Sequence, residues 1–303
     1  MDSLGFENEY IVSTSLPFTL TSEYFNRVSR VTDVRTLYDA RIDFDAYLLG
    51  GGKIDWGFAT EQLIRVMNAK IPVMGYGLGF RTDIQLSPGL KDVLCQFLNL
   101  FNIITVRDLA SKNFFHITDL TANLARLELT MCPAINLKEE KTHCPERMIV
   151  ACPRYGDYDA SGQVNNEPQI EWFVSRLKDC KEEVLLIPFS PRDLEGHLRD
   201  LEVCNEISRR LGGCHIYPTD GYNPRKIKYA ISKSKLVISG GRYHALAWAA
   251  AHGIPYEVTP TITGLAKSKI DSFIEIHQKY GSEKLKEMEK LNKNLFEGMT
   301  NVS

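Results

Sequence analysis

The chain has 303 residues, 44% of them hydrophobic and 24% charged, a balance that excludes a largely disordered chain. Its 36 basic and 38 acidic residues give a formal net charge of −2, which excludes a global basic field for coating nucleic acid. No apolar run reaches the ~18 residues of a membrane span, and Met1–Glu9 has no basic segment leading into an apolar one, so neither an anchor nor a secretory leader is read.

In chain order, apolar runs predict strands at Tyr10–Ser15, Val34–Tyr38, Asp45–Leu49, Ile71–Tyr76 and Ile103–Val106. Amphipathic spacing predicts helices between them, among others at Ser22–Val31 and Thr60–Ala69. A polar stretch, Lys138-Glu-Glu-Lys-Thr-His-Cys-Pro145, then interrupts the alternation. It divides the chain into an expected first lobe, 1–140, and a second, 141–303. In the second lobe strands are predicted at Met148–Pro153, Glu183–Phe189, Cys214–Tyr217, Lys235–Ser239 and Pro255–Val258. The helices are Gln169–Asp179, Asp193–Leu211, Asn223–Ser234, Ala245–His252 and a charged terminal segment, Lys267–Leu295. That last segment lacks sustained heptads and reads as a solvated helix. Strands alternating with helices imply parallel sheets, and continuous apolar runs imply strands covered on both faces. The class is therefore α/β in two lobes, with ligands expected beyond the carboxyl ends of the strands.

The seven cysteines, Cys95, Cys132, Cys144, Cys152, Cys180, Cys204 and Cys214, include no C-x-x-C pair. They argue for reduced thiols in a cytoplasmic protein, not for a zinc site or a disulfide framework. Several familiar signatures also fail. In Gly75-Tyr-Gly77-Leu-Gly-Phe80 the third glycine of a dinucleotide fingerprint would be Phe80. The calcium-like run Asp157–Gly162 would need glutamate where Pro168 stands. No metalloprotease helix, nucleophile elbow or P-loop occurs.

Five segments carry the candidate chemistry. Gly50-Gly51-Gly52 ends a strand, either as a tight turn or as a close approach of backbone to ligand. Gly75 and Gly77 stand in a second such segment. Arg107-Asp108 follows the strand Ile103–Val106, either as cleft residues or as an internal ion pair in which Asp108 caps the next helix. The fullest constellation is Ser239-Gly240-Gly241-Arg242-Tyr243-His244, leading into an Ala-rich helix that Gly253 and Pro255 terminate. A helix start attracts anions, Arg242 adds a planar donor fork, and His244 adds a group that exchanges protons near neutral pH. Arg154 closes the first strand of the second lobe; if that strand is central, it joins Arg242 at one site.

Taken together and in this order, these segments resemble the polysaccharide pyruvyl transferase family, with Pro188-Phe-Ser190-x-x-Asp193 and the Arg242-Tyr-His244 segment among them. The resemblance covers about residues 45 to 260. It implies two Rossmann-like lobes similar to GT-B glycosyltransferases, with an active-site cleft between them. It implies transfer of a pyruvyl group from phosphoenolpyruvate to a sugar of a polysaccharide or glycan precursor, as a ketal. His244 and Arg242 become the catalytic candidates; Arg154, Arg242, Tyr243 and His244 the donor-binding ones. Gly50, Gly51, Gly52, Gly75, Gly77, Arg107 and Asp108 fall to the acceptor side. No metal or cofactor is expected, phosphoenolpyruvate being a substrate. A lipid-linked acceptor would bring peripheral membrane contact. Against the family pattern, the chain runs from Met1-Asp-Ser-Leu-Gly into Tyr10–Ser15, which reads as the second strand. The first lobe is thus expected to lack the family's opening strand and Gly-rich loop. A nucleotide-sugar glycosyltransferase and a non-catalytic family member are the alternatives.

Overall fold

The computed structural model describes residues 10–13, 28–32, 47–50, 53–54, 72–80, 87–117, 126–156, 164–189, 199–218 and 223–300. The chain divides into two units: Met1–Asn136 together with Asp271–Ser303, and Leu137–Ile270. Among the described residues, no helix is long and apolar enough to cross a membrane.

The first unit contains β1 (Tyr10–Ser13), β2 (Val28–Thr32), β3 (Tyr47–Gly50), β4 (Lys53–Ile54), β5 (Val73–Phe80), α1 (Pro88–Leu98), β6 (Ile103–Val106), α2 (Leu109–Ile117) and β7 (Leu127–Leu129). Its main sheet runs β3-β5-β6-β7, with β4 also paired to β5; β1 and β2 form a separate parallel pair. The helix predicted over Ser22–Val31 gives way to β2 in its C-terminal part. Val28, Val31 and Thr32 are β-branched, and pairing with β1 overrides the helical spacing. The predictions at Val34–Tyr38 and Thr60–Ala69 lie outside the described residues. Every residue of β5 is buried, as a strand covered on both faces requires. Its neighbours in the core include Leu94, Leu98, Ile104, Val106 and Phe115.

The second unit contains β8 (Ile149–Cys152), α3 (Glu167–Leu177), β9 (Val184–Leu186), α4 (Arg199–Arg210), β10 (His215–Ile216), α5 (Pro224–Ser232), β11 (Leu236–Ser239), α6 (Tyr243–Ala251) and β12 (Tyr256–Val258). The sheet order is β10-β9-β8-β11-β12, parallel throughout. The chain moves outward from β8 through β9 to β10, then crosses back to β11 on the other side of β8. This reversal puts a topological switch point between β8 and β11, where open α/β sheets bind ligands. Local chemistry fixes the helices. Asn223 caps α5 by accepting the Arg225 N–H at 2.9 Å, and Pro224 occupies the first turn. Ala245 to Ala251 of α6 are all buried, so small side chains let this helix sit close to β11 and α5.

The last helix, α7 (Gly264–Thr300), breaks at Gly281, where φ is 71°. The sequence assigned the whole tail to the second lobe. In the structure its residues from Asp271 belong with the first unit. There Leu291 and Leu295 pack with Met74 and Tyr76, and the Leu109 N–H donates to Ser272 Oγ at 2.8 Å. The charged face is solvated as expected, but Leu285, Glu289 and Leu295 turn inward.

Candidate functional site

Strands β8 and β11 pair in register, Cys152 opposite Ser239. Their carboxyl ends are therefore level, and Arg154 and Arg242 leave the sheet side by side. The sequence made this convergence conditional on a central β8, and β8 is the middle strand.

The turn after β11 is held by Ser239. Its Oγ accepts the N–H of Gly241 at 3.2 Å and of Arg242 at 2.8 Å. The Gly240 N–H donates to the Cys152 carbonyl at 2.9 Å, tying this turn to the end of β8. A Cβ on Gly240 would stand 2.5 Å from Gln169 Oε1 and 3.0 Å from the Arg154 nitrogen. Gly241 has φ +97°, and a Cβ there would lie 3.6 Å from Arg154 Nη1. Gly240 thus leaves room for the Arg154 loop, and Gly241 supplies the positive φ that the turn needs.

That loop is pinned residue by residue. The Arg154 N–H donates to Gln169 Oε1 at 2.8 Å, the Tyr155 N–H to Asp200 Oδ1 at 2.9 Å, and the Gly156 N–H to Asn166 Oδ1 at 3.0 Å. The backbone amides are consumed by side chains, so an anion here would meet Arg154 through its guanidinium. Arg199 lies over the Tyr155 ring, 5.2 Å from its centroid.

Arg242 is the N-cap residue of α6 and its Nη2 pairs with both carboxylate oxygens of Asp200. Its side chain is 22% exposed, whereas Asp200 is 1% exposed. The buried Nε of Arg242 has no hydrogen-bond acceptor among the described residues. In the first turn of α6, the His244 ring stacks on Trp248, one turn further on, with centroids 5.9 Å apart and an interplanar angle of 23°. Trp248 in turn meets Phe189 at 5.7 Å. Tyr243 stands edge-on to His244 at 5.9 Å. Burial pushes the Cys152 and Cys204 thiols far above their ordinary range, so both are neutral packing groups.

Arg154, Arg242, Tyr243 and His244 all lie at the carboxyl ends of β8 and β11 or in the first turn of α6, in the second unit. The remaining candidates belong to the first. Gly50 closes β3, and Gly51 and Gly52 lie outside the described residues. Gly75 and Gly77 have packing reasons: a Cβ would stand 2.8 Å from Leu78 Cδ1 in one case, and 2.5 Å from Pro133 Cδ with φ +60° in the other. Asp108 Oδ1 accepts the Ser111 N–H at 2.7 Å, which is the helix cap weighed in the sequence, and Arg107 Nε stands 4.0 Å from Asp108 Oδ2.

Sequence reasoning missed Asp200, Gln169 and Asn166. A signal existed. Asp200 shares its buried stripe with Val203, Cys204 and Ile207, and Gln169 shares one with Ile170, Phe173 and Leu177. A polar residue on the apolar stripe of a helix marks a buried group in need of a partner.

The assembled group has two guanidiniums, a helix start and an imidazole around one turn. Guanidinium forks and helix starts favour small anions in general. Among solved structures, UDP-glucose: anthocyanidin 3-O-glucosyltransferase in complex with UDP matches at 9% identity, over 96% of this chain and 87% of that one, with a TM-score of 0.46. Anabaena Alr3699/HepE in complex with UDP and glucose matches at 14% identity, over 95% and 86%, with a TM-score of 0.45. Accessory secretory protein 1, 2 and 3 from Streptococcus pneumoniae matches at 14% identity over 89% of this chain and only 57% of that one, with a TM-score of 0.39. No curated protein sequence matches the chain. A family model for polysaccharide pyruvyl transferases matches residues 1–255. That span includes the β8 and β11 loops with Arg154, Arg242, Tyr243 and His244, and the chain belongs to the polysaccharide pyruvyl transferase family.

Proposed function

We propose that the protein transfers a pyruvyl group from phosphoenolpyruvate to two hydroxyls of one sugar in a polysaccharide or glycan precursor, forming a cyclic ketal. The supporting observation is the adjacency of Arg154 and Arg242 at the carboxyl ends of β8 and β11, with His244 in the first turn of the helix that Arg242 caps. Phosphoenolpyruvate carries a carboxylate and a phosphate on a small frame, and guanidinium forks fit both. His244 protonates the methylene carbon, which turns the central carbon electrophilic. One hydroxyl adds there and gives up its proton. The second hydroxyl then displaces phosphate. Of the two hydroxyl protons, one balances the proton now on the methyl group and the other leaves on phosphate. Arg242 and Arg154 neutralise the donor and the departing phosphate.

The test is phosphate release from phosphoenolpyruvate in the presence of a panel of sugar acceptors. His244→Ala is expected to lower the rate by ~10²–10⁴-fold, the usual worth of a placed general acid. Arg242→Gln should weaken donor binding while keeping a donor to Asp200. Normal turnover by both variants would remove the assigned site. Phosphoenolpyruvate should also raise the melting temperature, by the equivalent of about 2.7 kcal/mol at a hundredfold excess over Kd. Stabilisation by a nucleotide sugar alone would instead indicate a glycosyltransferase.

A further inference from the structure

Asp200 joins the two arginine-bearing loops. It sits in the first turn of α4, buried, with one oxygen accepting the Tyr155 N–H and both oxygens meeting Arg242. Its neighbours in the Arg154 loop, the N–H groups of Arg154 and Gly156, go to neutral amide acceptors on Gln169 and Asn166. The middle acceptor is charged, and it also holds the Arg242 guanidinium.

Packing does not call for this charge. The rest of the stripe is Val203, Cys204 and Ile207, and an apolar residue at position 200 would continue it. A buried ion pair is often no more stable than a packed apolar replacement. The carboxylate therefore needs a reason other than stability. Its geometry supplies one: it orients Arg242 before any anion arrives, so less side-chain freedom is lost on binding. Through the Tyr155 N–H it fixes the loop of Arg154 in the same act.

We propose that Asp200 is a positioning residue for the donor anion, aligning the Arg242 fork and the Arg154 loop toward one phosphate or carboxylate. The proposal rests on the reading of phosphoenolpyruvate as donor. It acts through Arg242, so the two residues are coupled in anion affinity and not in stability alone.

The experiment is a double-mutant cycle on the full chain with Asp200→Asn, Arg242→Gln and the pair. Calorimetry measures binding of phosphoenolpyruvate and, separately, of inorganic phosphate. Asp200→Asn keeps an oxygen for the Tyr155 N–H and removes the charge. It should weaken both anions about tenfold and raise KM for phosphoenolpyruvate while leaving KM for the sugar unchanged. In the Arg242→Gln background it should add almost nothing. Asp200→Glu keeps the charge and should recover part of the loss; it carries the same comparison if Asp200→Asn melts below the assay temperature. A merely structural role would lower kcat through a smaller active fraction and leave Kd and KM alone, and that result overturns the proposal. So does equal weakening in both backgrounds. Phosphate binding by the unmodified protein without turnover of phosphoenolpyruvate would sink the donor reading and leave the Asp200 cycle to be decided on phosphate. Failure to bind either anion would overturn both.

Discussion

At the residue scale, single atoms decide what the loops can do. Gly240 has no room for a Cβ because Gln169 Oε1 and the Arg154 nitrogen occupy its place, at 2.5 and 3.0 Å. Gly240→Ala must displace the Gln169–Arg154 hydrogen bond. It is expected to cost ~1–3 kcal/mol, the penalty of an unsatisfied buried group, and to weaken phosphoenolpyruvate binding as well. Urea unfolding and calorimetry check the two effects. Asp200 sets a second expectation. Arg242→Ala removes a paired charge from a buried carboxylate, a change that costs ~3–5 kcal/mol in other proteins. The double variant Asp200→Asn, Arg242→Ala should be more stable than Arg242→Ala alone. Parallel denaturation curves showing the reverse order would contradict the pairing.

At the element scale, α6 and β12 show how packing and charge hold the sheet in place. The buried run Ala245 to Ala251 includes alanine at positions 245, 247, 249, 250 and 251. Ala249→Leu inserts three carbons where small side chains set the spacing, and overpacking of this kind costs ~1–3 kcal/mol. A lower midpoint at unchanged denaturant slope is the expected result. Strand β12 is clamped to α3 by Arg176, whose Nε and Nη2 donate to Glu257 Oε2 and Oε1 at 2.8 and 2.7 Å. The Arg176 hydrogen bond holds the Glu257 carboxyl below its ordinary range, against a smaller opposing push from burial. As pH falls, the unfolded chain takes up its proton first. The stabilisation is thus full above the unfolded carboxylate value of ~4.3 and is lost as pH falls through the lower folded value. Both side chains are 38% exposed, so the effect stays below ~1 kcal/mol and shrinks with salt. Glu257→Gln should flatten this acid limb of the stability–pH curve.

At the scale of the whole molecule, the chain returns to its first unit after completing the second. Tyr76 donates to Glu289 Oε1 at 3.4 Å, Asn136 also donates to Glu289, and Leu295 is packed with Met74. Leu295→Asp puts a charge into that cluster and should destabilise the first unit, while stabilisation of the second by phosphoenolpyruvate persists. Hydrogen exchange resolved by segment separates the two responses. Much of this architecture was legible in the sequence because burial on both faces produces uninterrupted apolar runs. Ile103–Val106 was placed to the residue, and β8 and β11 within one residue at each end. The helix read over Ser22–Val31 failed in its second half because β-branched residues at helical spacing also suit a paired strand. The short β7, Leu127–Leu129, was missed because three residues carry no period. By itself the sequence determined the α/β class, the glycine turn after β11 and the family resemblance, since these depend on local spacing and on residue types read in order. Strand order was decided only in the tertiary structure, and with it the adjacency of Arg154 and Arg242. So were the return of residues beyond Asp271 to the first unit and the partnership of Asp200 with two loops. Those contacts join residues tens to hundreds of positions apart, and a helical stripe shows that a buried polar group needs a partner without showing which one it has.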